Sequence, residues 1–363
     1  MDGKRRVSSN SHRLLLMHVR LYASSNAGQS YTHTANRQAF YRRRIIPRML
    51  VDTNKRDTRA EIWGHKVSAP IGFAPIGINK IYHPQGELPV AKVAKELNLP
   101  YCLSTAGSQP IEAVAEANGE GPHFFQLYMP HDDELTISLL TRAHNSGFSA
   151  CILTVDTWQL GWRHDDVQTS NYAFYHGIGA DLGLSDPVFQ KRLREDGIDS
   201  TTMPNEAGAK WIDNVWHGRA HSWEKIPWLI RTWKEISGGK PFAIKGIQDV
   251  SDAQKAVEVG VDGIVVSNHA GRQVDGACAS LDALERIVDG KSSSFDQSYY
   301  PVRRLDLIYC PQPSATKLTS CSTPACAVRQ TSSRPLQSAP SSSLSVDSGF
   351  GVFPSWAIMV YGT

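Results

Sequence analysis

The chain of 363 residues has no apolar run near the roughly 18 residues that a membrane helix needs, so no membrane partner is expected. It has no excess of charge of one sign, with 38 Lys and Arg against 35 Asp and Glu and a net charge of +3. That balance leaves no electrostatic footprint for nucleic acid or for an anionic membrane surface. Its six cysteines, at positions 102, 151, 278, 310, 321 and 326, form no C-x-x-C pair. Neither a zinc site nor a disulfide framework is indicated, and reduced thiols in an intracellular protein are expected. No G-x-G-x-x-G follows the first strand-like run, which disfavours an open dinucleotide-binding sheet. Finally, no glutamate occurs after Glu285.

What is present is a hydrophobic fraction of 41%, enough for a sizeable core, in a length that suits an α/β barrel with additions. From Ala69 short apolar runs alternate with amphipathic ones. Strand-like runs are Ala69 to Pro75, Tyr101 to Ser104, His123 to Tyr128, Ala150 to Val155, Pro241 to Lys245 and Gly263 to Val266. Helical spacing covers Glu87 to Leu97, Pro110 to Ala117, Asp132 to Ser146, Trp223 to Ile236, Ser251 to Val259 and Leu281 to Val288. This alternation predicts parallel α/β architecture, and a (β/α)8 TIM barrel is the better choice within it. In such barrels the chemistry sits at the C-terminal ends of the strands. Ser104, Gln126, Tyr128, Thr154, Asp156, Lys245, His269 and Arg272 fall there one after another.

The segment with the most chemistry is Ser267-Asn268-His269-Ala270-Gly271-Arg272-Gln273, at the tip of the sixth run. An imidazole can take a proton near neutral pH, and a guanidinium can grip a carboxylate with two hydrogen bonds. A lone His or Arg is usually structural or on the surface; the combination at one strand end points to an enzyme that deprotonates a small organic acid while holding its carboxylate. The segment resembles the active-site stretch of the FMN-dependent α-hydroxy-acid oxidising family, which includes glycolate oxidase, lactate oxidase and lactate 2-monooxygenase.

The resemblance implies an FMN cofactor, a small 2-hydroxy acid as substrate, and oxygen or another electron acceptor. It also implies a homotetramer. His269 would be the base, with Asp156 beside it favouring the imidazolium and raising its pKa. Arg163, in Leu160-Gly161-Trp162-Arg163, and Arg272 would hold the carboxylate; Tyr128 and Tyr22 would reach the substrate oxygen. Ala74, Pro75, Ile76 and Gly77 resemble the backbone that packs on the flavin. Ser104, Gln126 and Thr154 match positions along the isoalloxazine edge, and Lys245 matches the lysine that stabilises reduced flavin. Ser267 and Asp347 complete the expected cofactor set. Where the family often has Trp, Ala106 stands, which bears on substrate or oxygen access. The Leu-Gly-Trp-Arg stretch looks more like lactate 2-monooxygenase than glycolate oxidase.

The expected organisation is an N-terminal segment over 1–68, barrel strands one to six over 69–290 with a lid insertion at 164–222, a Ser-rich segment of low order over 291–345, and a remnant of the barrel end over 346–363. Residues 291–345 hold 14 Ser and three of the six Cys without periodicity, a composition that does not readily bury a core. Only Val346-Asp347-Ser348-Gly349 resembles the family's phosphate loop, and no Gly-Arg pair follows. The expectation is an inserted stretch, such as translated intron, and a barrel incomplete at strands seven and eight. The first 30 residues carry Lys4, Arg5, Arg6, Arg13 and Arg20 with several Ser, which suggests a mitochondrial transit peptide only loosely because no amphipathic repeat is clear. A cytoplasmic location is expected instead. Two rival readings stay open: a barrel isomerase or aldolase with Lys245 as Schiff-base lysine, and a non-catalytic or non-folding fragment of the resembled family.

Overall fold

The computed structural model describes residues 21–168, 177–216 and 218–290, together with the backbone of a strand at Asp306–Tyr309. A hairpin comes first, β1 (Ala60–Ile62) paired antiparallel with β2 (His65–Val67). Then follow β3 (Tyr101–Leu103), β4 (His123–Leu127), β5 (Cys151–Thr154), β6 (Phe242–Ile247), β7 (Gly263–Val266) and β8 (Asp306–Tyr309), all parallel and paired in chain order. The first expected strand, Ala69 to Pro75, shrinks to one bridge, Phe73 to Tyr101. Pro70 and Pro75 lack the N–H that a longer ladder would need. The other sequence-based elements fall within a few residues of their predicted bounds.

Strand side chains alternate between two faces, and here the two faces build two cores. Leu103, Phe125, Leu127, Cys151, Leu153, Phe242, Ile244, Ile264 and Val266 face the surrounding helices. Cys102, Phe124, Ile152, Ala243 and Val265 face inward, where they meet Ile62 and Val67 of the hairpin. Trp63 at the hairpin turn packs edge-on against Phe124, with ring centres 5.0 Å apart, so the hairpin plugs the end of the barrel where the strands begin. The helices are held by ordinary end chemistry. Asp132 caps Asp133–Asn145 through Leu135 N, and Asp249 caps Val250–Glu258 through Ser251 N.

Within the segment 291–345, expected as a Ser-rich stretch of low order, the backbone of β8 pairs with β7 in the register Gly263 with Asp306 to Val266 with Tyr309. No strand beyond β8 closes the sheet back onto β3 among the described residues. The described part of the insertion after β5, expected as a lid over 164–222, is largely helical. His164–Gln168, Asp181–Leu184, Pro187–Glu195 and Pro204–Val215 are helices, and Leu182, Phe189, Leu193, Trp211 and Ile212 are buried there. No helix among the described residues is long and apolar enough to cross a membrane.

Gly183 marks how tightly this insertion packs. A Cβ on it would sit 2.1 Å from the Trp211 ring, which is fully buried and packed edge-on against Phe189. G183A is expected to cost about 1–3 kcal/mol through overpacking. Thermal unfolding followed by circular dichroism should show a lowered Tm; an unchanged Tm would mean the insertion packs loosely.

Candidate active site

The site follows from continuing the inward face of each strand by two residues. Beyond Cys102 comes Ser104, beyond Phe124 Gln126, beyond Ile152 Thr154, beyond Ala243 Lys245, and beyond Val265 Ser267. The same period carries the chain on from Gln126 to Tyr128, from Thr154 to Asp156 and from Ser267 to His269. An apolar barrel interior therefore turns polar at one end. The buried polar groups there satisfy one another. Gln126 Oε1 accepts from Ser104 Oγ at 3.2 Å and Thr105 N at 3.0 Å, while its Nε2 donates to Thr154 Oγ1 at 2.9 Å. One amide thus ties three neighbouring strand ends together.

His269 and Asp156 meet across the tips of β7 and β5. His269 Nδ1 lies 2.7 Å from Asp156 Oδ1. Thr157 Oγ1 donates to the same carboxylate oxygen at 3.0 Å and lies 3.0 Å from His269 Nδ1. Lys245 Nζ stands 3.4 Å from Asp156 Oδ2 and 3.3 Å from His269 Nδ1. With Nδ1–H donating to Asp156, Nε2 is the nitrogen left to take a proton. His269 holds a left-handed backbone, φ +54°, and its N–H donates to Ser267 Oγ at 3.0 Å. Gly246 keeps room for Asp156: it has φ +108°, and a Cβ there would lie 2.8 Å from Asp156 Cβ.

Asp156 acts on His269 in the expected direction and raises its pKa, but burial outweighs it and, with the charges of Lys245 and Arg163, brings the pKa down to about 4. Burial works against the Asp156 carboxylate too, yet His269 and the Lys245 ammonium beside it, with hydrogen bonds from His269 and Thr157, hold its pKa well below the usual carboxylate range. The pair is therefore an ionised carboxylate and a neutral imidazole, which is a base as it stands.

Arg163 and Arg272 reach the same pocket from two loops. Arg163 is buried; its Nε donates to Arg272 O at 2.9 Å and its Nη2 to Gln273 Oε1 at 2.9 Å. Burial and the neighbouring Arg272 charge push its pKa down to about 10. Arg272 Nη1 donates to Ser25 O at 2.6 Å and Tyr22 O at 3.1 Å, and its guanidinium lies 5.0 Å from the centre of the Tyr22 ring. Tyr22 is thus a pocket residue, not a surface one. Tyr128 is buried beside Trp216, with rings 5.2 Å apart, and burial raises its pKa so that the hydroxyl keeps its proton.

Tyr22, Pro75, Ile76, Gly77, Ser104, Tyr128, Arg163, His269 and Arg272 all line one pocket. Ala74, Gln126, Thr154, Lys245 and Ser267 are not on its wall; they are buried behind it. Asp347 lies outside the described residues. The sequence reading missed Tyr82, Thr157, Leu160 and Trp216, which also line the pocket, and it placed Ala106 there correctly. Thr157 was legible, one position after Asp156. Trp216 was not, because it arrives from the end of the inserted helices.

Hydroxyl and amide groups stand in a row at three strand ends, Ser104 on the pocket wall and Gln126 and Thr154 behind it. The loop Pro75 to Gly77 approaches so closely that a Cβ on Gly77 would lie 2.7 Å from Ala106 Cβ. A model of FMN-dependent dehydrogenases matches residues 12–296. The chain belongs to the FMN-dependent dehydrogenase family. The cofactor of this family is FMN. The chain is 41% identical over 268 residues to the FMN-dependent alpha-hydroxy acid dehydrogenase qulF of Penicillium citrinum, covering 74% of this chain and 65% of that one. It is 39% identical over 267 residues to an L-lactate oxidase of Lysinibacillus sphaericus (strain C3-41), covering 74% and 66%. A crystal structure of mandelate oxidase matches with a TM-score of 0.61 at 28% identity, covering 78% of this chain and 74% of that one. The chain spans about two thirds of the length of the curated relatives it matches.

In histidine-selective NMR, His269 is expected to titrate at about 4 against 6.5 for a free imidazole. Because the folded value lies below the unfolded one, the unfolded chain binds more protons between them. Stability is then lost as pH falls from about 6.5 through about 4. A midpoint near 6.5 would refute the buried, neutral base.

Proposed function

We propose that the chain oxidises a small L-2-hydroxy acid, lactate-like, with FMN. The observation that carries this reading is one pocket wall shared by a neutral, carboxylate-bound His269 and two guanidinia, Arg163 and Arg272. A carboxylate held by the arginines sets its α-carbon and hydroxyl before His269 Nε2. His269 takes one proton, from carbon or from oxygen, and Asp156 stabilises the imidazolium that forms. Tyr128 and Tyr22 donate to the substrate hydroxyl, or to the keto oxygen it becomes. When bound, FMN supplies an acceptor for the two electrons, which pass on to oxygen or another acceptor. Ser104, Gln126, Thr154 and the Pro75–Gly77 loop would hold its ring, and Lys245 would add positive charge behind it. Oxidase, dehydrogenase and lactate 2-monooxygenase-like outcomes share these residues. A homotetramer and a cytoplasmic location belong to the same reading.

A second reading, a catalytically impaired member of the family, draws on the sheet that no strand closes among the described residues. Phosphate sites in such barrels lie after strands seven and eight, beyond the residues placed around this pocket. Lys245 as a Schiff-base lysine finds less support, because its ammonium is engaged by Asp156.

The visible spectrum of the purified chain tests both. A flavin spectrum that bleaches with anaerobic L-lactate supports the oxidoreductase; a colourless chain supports the impaired reading. H269Q is expected to slow bleaching by about 10²–10⁴-fold, and R272Q to raise KM far more than it lowers kcat. An H269Q variant as fast as the parent would remove His269 as the base.

A further inference from the structure

His269 stands on a stretch of backbone that its own residues disfavour. His269, Ala270 and Gly271 follow one another at positive φ, +54°, +59° and +76°. Glycine takes this conformation freely, whereas alanine disfavours it on the order of tenfold. Gly271 is needed for a second reason, since a Cβ on it would lie 2.7 Å from His33 N.

What offsets the strain is one amide. Asn268 is 4% exposed, and its side chain spends its full bonding capacity on this loop. Its Oδ1 accepts from Gly271 N at 3.2 Å, which closes the turn, and from Asn36 Nδ2 at 3.0 Å. Its Nδ2 donates to Cys278 O at 2.9 Å and to Asn36 Oδ1 at 2.8 Å. Neither amide can be reversed: Gly271 N needs an acceptor, Cys278 O needs a donor, and Ser280 N donates to Asn36 Oδ1 at 3.1 Å. Asn36 comes from the helix Tyr31–Arg42, 232 positions earlier in the chain. Just after that helix, Arg43 bonds Asp282 at 2.8 Å and Glu285 at 2.6 Å, which fixes it to the helix Ser280–Asp289. Asn36 does not line the pocket. Without it, Asn268 would keep a buried donor and a buried acceptor unpaired, and turning outward to satisfy them would release Gly271 N.

We propose that Asn36 is a positioning residue: its reciprocal amide bonds to Asn268 hold the left-handed run that aims the His269 imidazole at Asp156. This rests on the reading of His269 as the base.

The experiment follows His269 by histidine-selective NMR and, in the FMN-loaded full chain, the rate of anaerobic bleaching over a range of L-lactate concentrations. In N36A the His269 midpoint is expected to rise from about 4 toward 6.5, as a loosened loop admits water. The limiting rate should fall on the order of tenfold, with a smaller change in the half-saturating lactate concentration. A270G added to N36A is expected to restore both, because glycine removes the penalty that the amide pair offsets. N36D, which keeps an oxygen for Ser280 N and loses the donor to Asn268, takes the place of N36A where that variant does not fold. A lowered Tm with the midpoint still about 4 and the rate unchanged overturns the inference, and so does an N36A chain that A270G does not improve. Midpoints that shift and recover as expected, in chains that are colourless or do not bleach, keep the inference and remove the oxidoreductase reading. A parent that bleaches, with an N36A chain that matches it in midpoint and rate, removes the inference alone. A parent midpoint near 6.5 removes both.

Discussion

The site depends on the 2.7 Å contact between Asp156 and His269. It joins the tips of two strands that are not neighbours: β6 lies between β5 and β7. Lys245, at the end of that middle strand, fills the gap with a positive charge 3.4 Å from the carboxylate. The carboxylate is thus held by an imidazole, an ammonium and the Thr157 hydroxyl. A group so nearly buried would otherwise be driven to its neutral form. Its ionisation fixes the tautomer of His269, and burial of the imidazole keeps that ring unprotonated. Neither residue would have this state alone.

The same geometry shows why much of the site was legible in the sequence. A parallel strand inside a barrel alternates strictly, so an inward Ile152 places Thr154 and then Asp156 on one line. Reading strand ends therefore found Ser104, Gln126, Thr154, Lys245 and His269 by position, and the Asn-His-x-Gly-Arg pattern named their chemistry. The proton affinity of His269 was not legible. It depends on how much water is excluded and on Lys245 arriving from another strand, and neither distance is written in the local sequence. Trp216 escaped for a related reason, because inserted helices carry it back to the mouth. The first strand was overcalled, since its prolines permit an extended chain but not a ladder.

The fold and the site differ in how far they reach along the chain. Barrel strands two to six, with their helices and the hairpin plug, form a continuous packed body within residues 60–290. The residues proposed to hold substrate and move its proton belong to that body, apart from those that the N-terminal segment brings. Among the described residues, the Ser-rich stretch contributes one short strand, β8, to the sheet edge. The substrate half of the pocket and the expected phosphate half thus depend on different portions of the polypeptide.

The N-terminal segment has a consequence of its own. Arg272 is tied to Tyr22 across 250 positions of chain, Asp275 accepts from Gln29 N and Thr32 N, and Ala27 pairs with Arg163. The mouth of the pocket is stitched from two stretches that leave the ribosome at widely separated times. Contacts of such long range form late, because loop-closure entropy must be overcome first. A growing chain can assemble its early strands while residues 22 to 32 wait without partners. The proposed grip on a carboxylate would then be among the last things to appear, and acid binding would report on completed folding as much as on the local arginines.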